Sequence, residues 1–196
     1  MISNISKALE DGQFLSDVFL SLDGLKINND DLELTIQVTY ENNDEILQLW
    51  KVTCTDFREH QLNVHYFEEF KVLDDHVYLW KYNNSLADLF FKGVCYDINQ
   101  VVRELYINHS NKVKGQIPME KYLNLTGDLV DLLQQGEGLF SKGPLNIIKV
   151  HEKVLSNNGF KTTIIDYSNT ESGPFKLLMF EDSFVVAKSF KAIQMF

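Results

Sequence analysis

The sequence predicts an α+β fold: an N-terminal antiparallel sheet (a meander), central helices, and a C-terminal helix followed by three antiparallel strands. Three observations lead to this class. Residues 32–40 alternate strictly between apolar and polar side chains, the pattern of a strand with one buried face. After Asn84 the apolar spacing changes from two residues to about 3.6. Three further apolar runs of strand character follow the last helical pattern.

The N-terminal part of the chain is predicted to form four or five strands. Residues 1–30 fit either a helix or a strand, and we expect a short helix followed by a strand. Residues 41–44 predict a hairpin connection. The strand after it has apolar residues on both faces, which favours a central position in the sheet. The predicted strands lie at 32–40, 45–54, 62–66, 70–72 and 77–82.

The helices are predicted from capping residues and apolar spacing. Ser85 and Asp88 are arranged as a helix cap, and Asp97 is the expected N-cap of a helix that ends near Asn108. Residues 109–115 and the glycine-rich run 136–143 are expected to be connecting loops. The predicted helices lie at 86–90, 98–108, around 129–133 and at 145–157.

The last three strands are predicted at 160–167, 175–180 and 184–190. The composition changes between Asn83 and Asp97, but the sequence there lacks the character of a flexible linker. We therefore predict a single domain over 1–196 with two lobes. The lobe 1–84 is mainly antiparallel β, and the lobe 85–196 contains the helices and a C-terminal β-hairpin sheet.

Composition and the N-terminus predict a cytoplasmic globular protein. Apolar residues make up 44% of the chain and charged residues 23%. No apolar run approaches the roughly 18 residues that cross a bilayer, and the first residues lack the features of a signal peptide. The two cysteines, Cys54 and Cys95, are far apart in sequence, which favours reduced thiols.

The net charge of -10 disfavours nucleic acid or an anionic membrane as a partner. Residues 1–75 hold 16 acidic and 5 basic residues, so the acidity lies in the first strands and their connections. One interpretation is solubility; the other is a surface for a protein partner, possibly a basic one. The candidate partner-binding residues are Asp30, Asp31, Asp44 and Glu45. No feature of the sequence indicates the oligomeric state.

The glycine-rich run is a candidate anion or ligand loop, with Gly138, Ser141 and Lys142 as its binding residues, because it precedes a helix. It does not match a Walker A motif, since Pro144 and Leu145 stand where lysine and serine or threonine are needed. It also lacks the glycine of a nucleophile elbow. No cofactor is predicted.

Among the five histidines, His151 is the weak catalytic candidate. It falls within the apolar arc of the helix 145–157, which predicts a side chain facing the core or a cleft. A neutral histidine with one hydrogen bond is the more common outcome there, and acid–base catalysis needs a partner that the sequence does not identify. No histidines are spaced as metal ligands on one helix face, so no metal is predicted.

The leading hypothesis is a non-enzymatic cytoplasmic protein-interaction module, of regulatory or toxin-neutralising type, that uses an acidic N-terminal sheet face. The alternative is a small-molecule-binding protein or hydrolase with a cleft near His151 and with Ser141 and Lys142 at its mouth. That alternative predicts a pocket with His151 in its wall. A third interpretation, a subunit of a larger assembly, predicts a large exposed apolar patch.

Overall fold

The computed structural model has an α+β fold, as predicted, and describes residues 18–40, 46–63, 66–67, 71–167 and 174–195. These residues form four α-helices and twelve strands in three sheets. The strands are β1 (Val18–Asn28), β2 (Asp31–Tyr40), β3 (Ile46–Thr55), β4 (Glu59–Gln61), β5 (Tyr66–Phe67), β6 (Lys71–Leu73), β7 (Leu86–Lys92), β8 (Glu137–Pro144), β9 (Lys161–Tyr167), β10 (Lys176–Phe180), β11 (Ser183–Ala187) and β12 (Ser189–Gln194). The helices are α1 (Trp80–Asn83), α2 (Ile98–Val113), α3 (Leu129–Gln134) and α4 (Leu145–Asn157), with 3-10 turns at Val77–Leu79 and Met119–Lys121.

The chain divides into two compact units. Unit 1 contains Met1–Leu79 and Gly173–Phe196, and unit 2 contains Trp80–Ser172. The predicted lobes, 1–84 and 85–196, differ from this division because the C-terminal strands belong with the N-terminal ones. Within the described ranges, no helix has the length and apolar character needed to span a membrane.

Unit 1 contains a five-stranded antiparallel sheet in the order β12-β3-β2-β1-β5. The four apolar residues of β2 are almost completely buried because the alternating pattern turns all of them to one face. They pair across the sheet with the buried residues of β3, for example Leu34 with Val52. The predicted strand is therefore confirmed, and β3 lies inside the sheet. The four β2 residues are Leu32, Leu34, Ile36 and Val38.

A second sheet of unit 1 completes the same core. Its order is β4-β11-β10-β6, and every residue of β11 is buried. Leu178, Phe180 and Val185 join one hydrophobic cluster with the apolar residues of β2 and β3. Phe180 also packs against Phe67 of the first sheet, with ring centroids 4.9 Å apart. The core of unit 1 thus includes residues from both sheets.

Unit 2 contains a three-stranded antiparallel sheet in the order β8-β7-β9, with α4 packed against all three strands. Ala87, Leu89 and Phe91 of β7 are buried, and α2 packs against α4. Phe91 makes edge contacts with Phe140 and Phe160, at centroid distances of 5.7 and 5.6 Å. The alternate residues of β7 face away from these helices.

Three local predictions were wrong, and a fourth, the strand at 62–66, is wrong at residues 62–63, because β4 ends at Gln61 and these two residues are not in a strand. Residues 77–82 form a 3-10 turn and α1 instead of a strand. The predicted helix at 86–90 is strand β7, and the predicted loop at 136–143 is strand β8. The backbone of β7 is paired on both edges, with β8 and with β9. These partners are distant in sequence, and such pairing overrides a weak local helix signal.

The later elements were predicted well in position but not in pairing. The helix α4 covers 145–157 as predicted, whereas α2 continues to Val113, beyond its predicted end. The strand predicted at 184–190 is two strands, β11 and β12, and β12 pairs with β3. β9 pairs with β7 in unit 2, apart from β10 and β11. The helix expected near the N-terminus lies outside the described residues.

Candidate functional site

Three polar side chains from three elements of unit 2 form a chain of hydrogen bonds in its core. Ser141 Oγ on β8 lies 3.2 Å from Nδ1 of His151 on α4. Nε2 of His151 lies 3.1 Å from Nδ1 of His109 on α2, and Nε2 of His109 lies 3.0 Å from the carbonyl oxygen of Ile117. Ser141 and His151 are 0% exposed and His109 is 3% exposed. We call these three side chains and the Ile117 carbonyl the histidine relay.

Both histidines occupy apolar helix faces. His151 lies among buried residues of α4, which include Ile148 and Val154, so the predicted inward orientation is confirmed. On α2 the buried residues recur at intervals of four, and His109 is one of them. The series is Val101, Leu105, His109 and Val113.

A β-bulge in β8 turns Ser141 towards the helices. Leu139 pairs with Phe90 and Ser141 pairs with Leu89, so Phe140 is an extra residue in β8. Phe140 and Ser141 are both completely buried although they are adjacent in the strand. Regular alternation would place one of them on the opposite face, and a bulge is the usual device that reorients such a side chain.

The hydrogen-bond partners define the proton positions in the neutral relay. A carbonyl oxygen only accepts, so the Ile117 oxygen requires a proton on Nε2 of His109. Nδ1 of neutral His109 is then an acceptor, and Nε2–H of His151 donates to it. Nδ1 of His151 is in turn an acceptor for the Ser141 hydroxyl. All three hydrogen bonds of the relay are therefore donated in the same direction, from Ser141 towards Ile117, and each member has a hydrogen-bond partner.

Burial keeps both rings neutral. Desolvation and, to a smaller extent, the neighbouring His109 together lower the pKa of His151 to about 3. Desolvation also lowers the pKa of His109, against the smaller opposing effects of the Ile117 carbonyl and the Glu120 carboxylate. Both rings are therefore unprotonated bases at pH 7.

A serine hydroxyl that donates to a neutral imidazole is the arrangement found in activated serine nucleophiles. Catalysis also requires that a substrate reach Oγ, and here Ser141 and His151 have no exposed surface. The hydrolase alternative needs a pocket with His151 in its wall, whereas the ring is enclosed by protein. A closed polar network of this kind fixes the packing of the elements that contribute to it.

The other two residues of the predicted ligand loop do not join the relay. Gly138 and Lys142 lie on β8, so the segment is a strand and not a loop. Lys142 is opposite Asp88 on the other face of the sheet, with Nζ 4.0 Å from a carboxylate oxygen. Gly138 is exposed. Ser141 is therefore the one member of that set that contacts His151.

Gly143→Ala is expected to destabilise unit 2 by about 2–3 kcal/mol. Gly143 has φ +153°, and a Cβ atom there would lie 2.6 Å from Cδ1 of the buried Tyr122 ring. Gly138→Ala is the control, because Gly138 also has a positive φ but nothing lies within 4 Å of its Cβ position. Urea unfolding measures the stability of both variants. Equal losses of stability would show that the Tyr122 contact has no effect.

The predicted partner-binding residues of unit 1 are only partly described. Asp30 lies in the β1–β2 connection and Asp31 is the first residue of β2, while Asp44 and Glu45 lie outside the described residues. An Asp31 carboxylate oxygen accepts the backbone N–H of Asp56 at 3.0 Å, so this side chain supports a neighbouring turn. The Asp30 side chain is exposed and makes no ion pair with the described residues.

The outward face of the five-stranded sheet carries lysines as well as acids. Lys26, Glu33 and Lys191 lie in one cross-strand row, and Lys51 lies 3.3 Å from Glu33. Asp56 pairs with Arg58 and Lys188, which lower its pKa, the Lys188 hydrogen bond most. Several of the described acidic groups of unit 1 are therefore already paired within the unit.

Sequence reasoning missed His109, because the helix was expected to end one residue before it. The four-residue spacing from Val101 to Val113 was the available signal. Within the described residues, no group of three or more His, Cys, Asp or Glu side chains is arranged to hold a metal ion.

Comparisons with known proteins found no matching family model, no matching curated protein and no matching solved structure.

Proposed function

We propose that this chain is a non-enzymatic protein-interaction module that binds a protein partner through the helix-free face of the unit 2 sheet. The observation that carries the proposal is a group of apolar side chains on that face. Phe90, Ile165 and Tyr167 are 37%, 54% and 45% exposed. We define the unit 2 patch as these three residues with the half-buried Leu86 and Leu139.

The strand pairing brings the patch residues together. Phe90 is paired with Leu139 on β8, and Leu86 is paired with Tyr167 on β9. Ile165 lies opposite Asp88, between these two rows. Residues on one sheet face in adjacent rows are within reach of each other's side chains. The patch is therefore contiguous, and contiguous exposed apolar surface is characteristic of protein-binding sites.

One charged pair lies within the patch and another at its end. Lys142 lies 4.0 Å from Asp88, which is in the middle row with Ile165, and Lys92 and Glu137 form an exposed ion pair at 2.8 Å beyond Phe90. The Tyr167 hydroxyl also lies 3.4 Å from Asp88. Exposed apolar and aromatic side chains mixed with polar groups are found in protein interfaces, and Tyr in particular is enriched there.

The acidic connections of unit 1 are the second candidate surface. Asp30 is exposed without an ion pair to the described residues, and the sequence of 1–75 has an excess of eleven negative charges. A basic partner would associate faster with such a surface at low salt. The proposal includes a cytoplasmic location, supported by the free thiols of Cys54 and Cys95.

The test is quantitative capture of partners from native lysate in low and moderate salt, with two sets of variants. Phe90→Ser with Ile165→Ser removes the centre of the patch, and Asp30→Lys with Asp44→Lys reverses charge in the connections. Val94→Ser with Tyr96→Ser is the control, because both residues are exposed but lie outside the patch. We expect the patch variant to weaken capture of a stoichiometric partner at least about tenfold.

Each outcome has a separate meaning. Loss of partner capture in the patch variant alone supports the proposed surface. Loss with the charge variant alone, together with loss in moderate salt, assigns binding to the acidic connections. A partner held equally by all variants, or no stoichiometric partner under any condition, contradicts the proposal.

A further inference from the structure

The histidine relay can accept one extra proton but not two. With one extra proton, Nδ1–H of His151 donates to Ser141 Oγ and the bond to His109 keeps its direction. The remaining unprotonated ring nitrogen is then Nδ1 of His109. A proton there would face the Nε2–H of His151 across 3.1 Å. Two donors at this distance repel, so the second proton breaks the link between α2 and α4.

The surroundings of the relay offer little compensation for a positive charge. Glu120, in the 3-10 turn after α2, is the carboxylate that acts on His109, and it accepts a hydrogen bond from Tyr106. The Tyr122 ring lies 5.9 Å from the His109 ring. Lys142 on β8, and Lys149 and Lys153 on α4, are exposed.

Neither ring has a carboxylate as a hydrogen-bond partner among the described residues. The neighbouring buried side chains of α2, β8 and α4 include Leu105, Phe140 and Ile148. A charged ring in such a position is disfavoured unless it is paired. The lowered pKa values of His109 and His151 agree with this arrangement.

We propose that the histidine relay is an acid-sensitive latch, which holds α2, α4 and β8 together while both rings are neutral and releases them when the pair takes up protons. The inference is independent of the proposed partner surface. It predicts that acid opens unit 2 at a pH at which unit 1 remains folded. Release would separate α2 from α4, since the His109–His151 bond joins these helices.

The direction of the pH effect follows from the pKa shifts. Both folded pKa values lie below the ordinary histidine value of about 6.5, so the unfolded chain binds more protons below that pH. The relay's stability is fully present above about pH 6.5 and is lost as the pH falls. For each unit by which the pH falls, one proton taken up on unfolding raises the equilibrium constant for unfolding about tenfold, and two protons raise it roughly 100-fold.

The full-length chain provides a separate probe for each unit. Trp50 belongs to unit 1 and Trp80 to unit 2, so Trp50→Phe and Trp80→Phe leave one fluorescent reporter each. Urea unfolding at pH 7, 6 and 5 then gives the proton uptake of each unit from the slope of stability against pH. We expect unit 2 to take up more than one proton on unfolding, and unit 1 to take up fewer protons than unit 2.

His109→Gln with His151→Gln tests the assignment, because glutamine forms hydrogen bonds but does not titrate. In this variant, most of the dependence of unit 2 stability on pH should be lost. The control His60→Gln, in unit 1, should leave that dependence unchanged. An uptake of one proton or fewer in unit 2, or an unchanged slope in the double variant, would overturn the proposal.

Proton NMR of the histidine rings keeps the proposal testable if the double variant does not fold. In the folded wild-type chain, the His151 ring signals should not titrate between pH 7 and pH 5, and the His109 ring signals should titrate only below the ordinary histidine pKa. Titration of either ring at the ordinary histidine pKa in the folded chain would overturn the latch.

Discussion

His151→Ala is expected to lower the free energy of unfolding of unit 2 by about 4 kcal/mol at pH 7. The substitution leaves the Ser141 hydroxyl without an acceptor and Nδ1 of His109 without a donor, both inside the core. An orphaned buried polar group costs about 1–3 kcal/mol, and the cavity left by the ring adds to this. Urea unfolding followed through Trp80, in the Trp50→Phe background, measures the loss.

Replacement of the whole relay is the matched comparison. Ser141→Ala with His109→Leu and His151→Leu leaves only the Ile117 carbonyl without its partner, and leucine fills part of the space. This triple variant should be more stable than His151→Ala, because partly satisfied polar networks are worse than apolar cores. A loss below about 1 kcal/mol for His151→Ala would contradict a closed and fully bonded relay.

The strands β2 and β3 of unit 1 were predictable because their signal is local and strong. Strict alternation in β2 determines which face is buried, and the buried faces of β2 and β3 pair directly. The pairing of β12 with β3 was not predictable, since nothing in residues 189–194 specifies a partner strand far away in sequence. Alternation predicts a strand and its face but not its neighbour.

The strands β7 and β8 were missed for two different reasons. In β7 the apolar residues fit a short helix and a strand equally well, and pairing on both edges decides the outcome. In β8 the glycines suggested a loop, but Gly143 is required by a tertiary contact, because the Tyr122 ring occupies the space of a Cβ atom. A contact with a residue about twenty positions away leaves no local pattern in β8.

The candidate site was predictable only where its signal is local. The helical periodicity of α4 correctly predicted that His151 faces inward. Ser141 was selected as part of a loop, yet it reaches His151 because of a bulge, and the bulge depends on the register with β7. His109 required one more helical turn than the capping signals indicated.

The charge distribution also depends on contacts that are distant in sequence. Counting charges located the acidity in residues 1–75, but a count does not assign charges to a face or pair them. The outward sheet face carries Lys26, Lys51 and Lys191 beside Glu33, and Lys191 comes from the other end of the chain. Cross-strand partners from distant sequence thus offset part of the local excess.

Phe140→Ala is expected to destabilise unit 2 by about 3–5 kcal/mol. Phe140 is the extra residue of the β8 bulge and is completely buried. Its ring makes edge contacts with Phe91 and His151, at centroid distances of 5.7 and 6.0 Å. Removing it deletes these contacts and opens a cavity beside the relay, and the same Trp80-monitored urea unfolding measures the effect.

Phe90→Ala is the matched control, because Phe90 lies on β7, pairs with the residue before Phe140, and faces outward. Its removal deletes the same number of atoms from the partly exposed patch, so we expect a loss below about 1 kcal/mol. A large loss for Phe140 with a small loss for Phe90 would show that the bulge, which turns Phe140 and Ser141 inward together, determines the core of unit 2. Equal losses would mean that the sheet buries both faces, and Phe90 would then be unavailable to a partner.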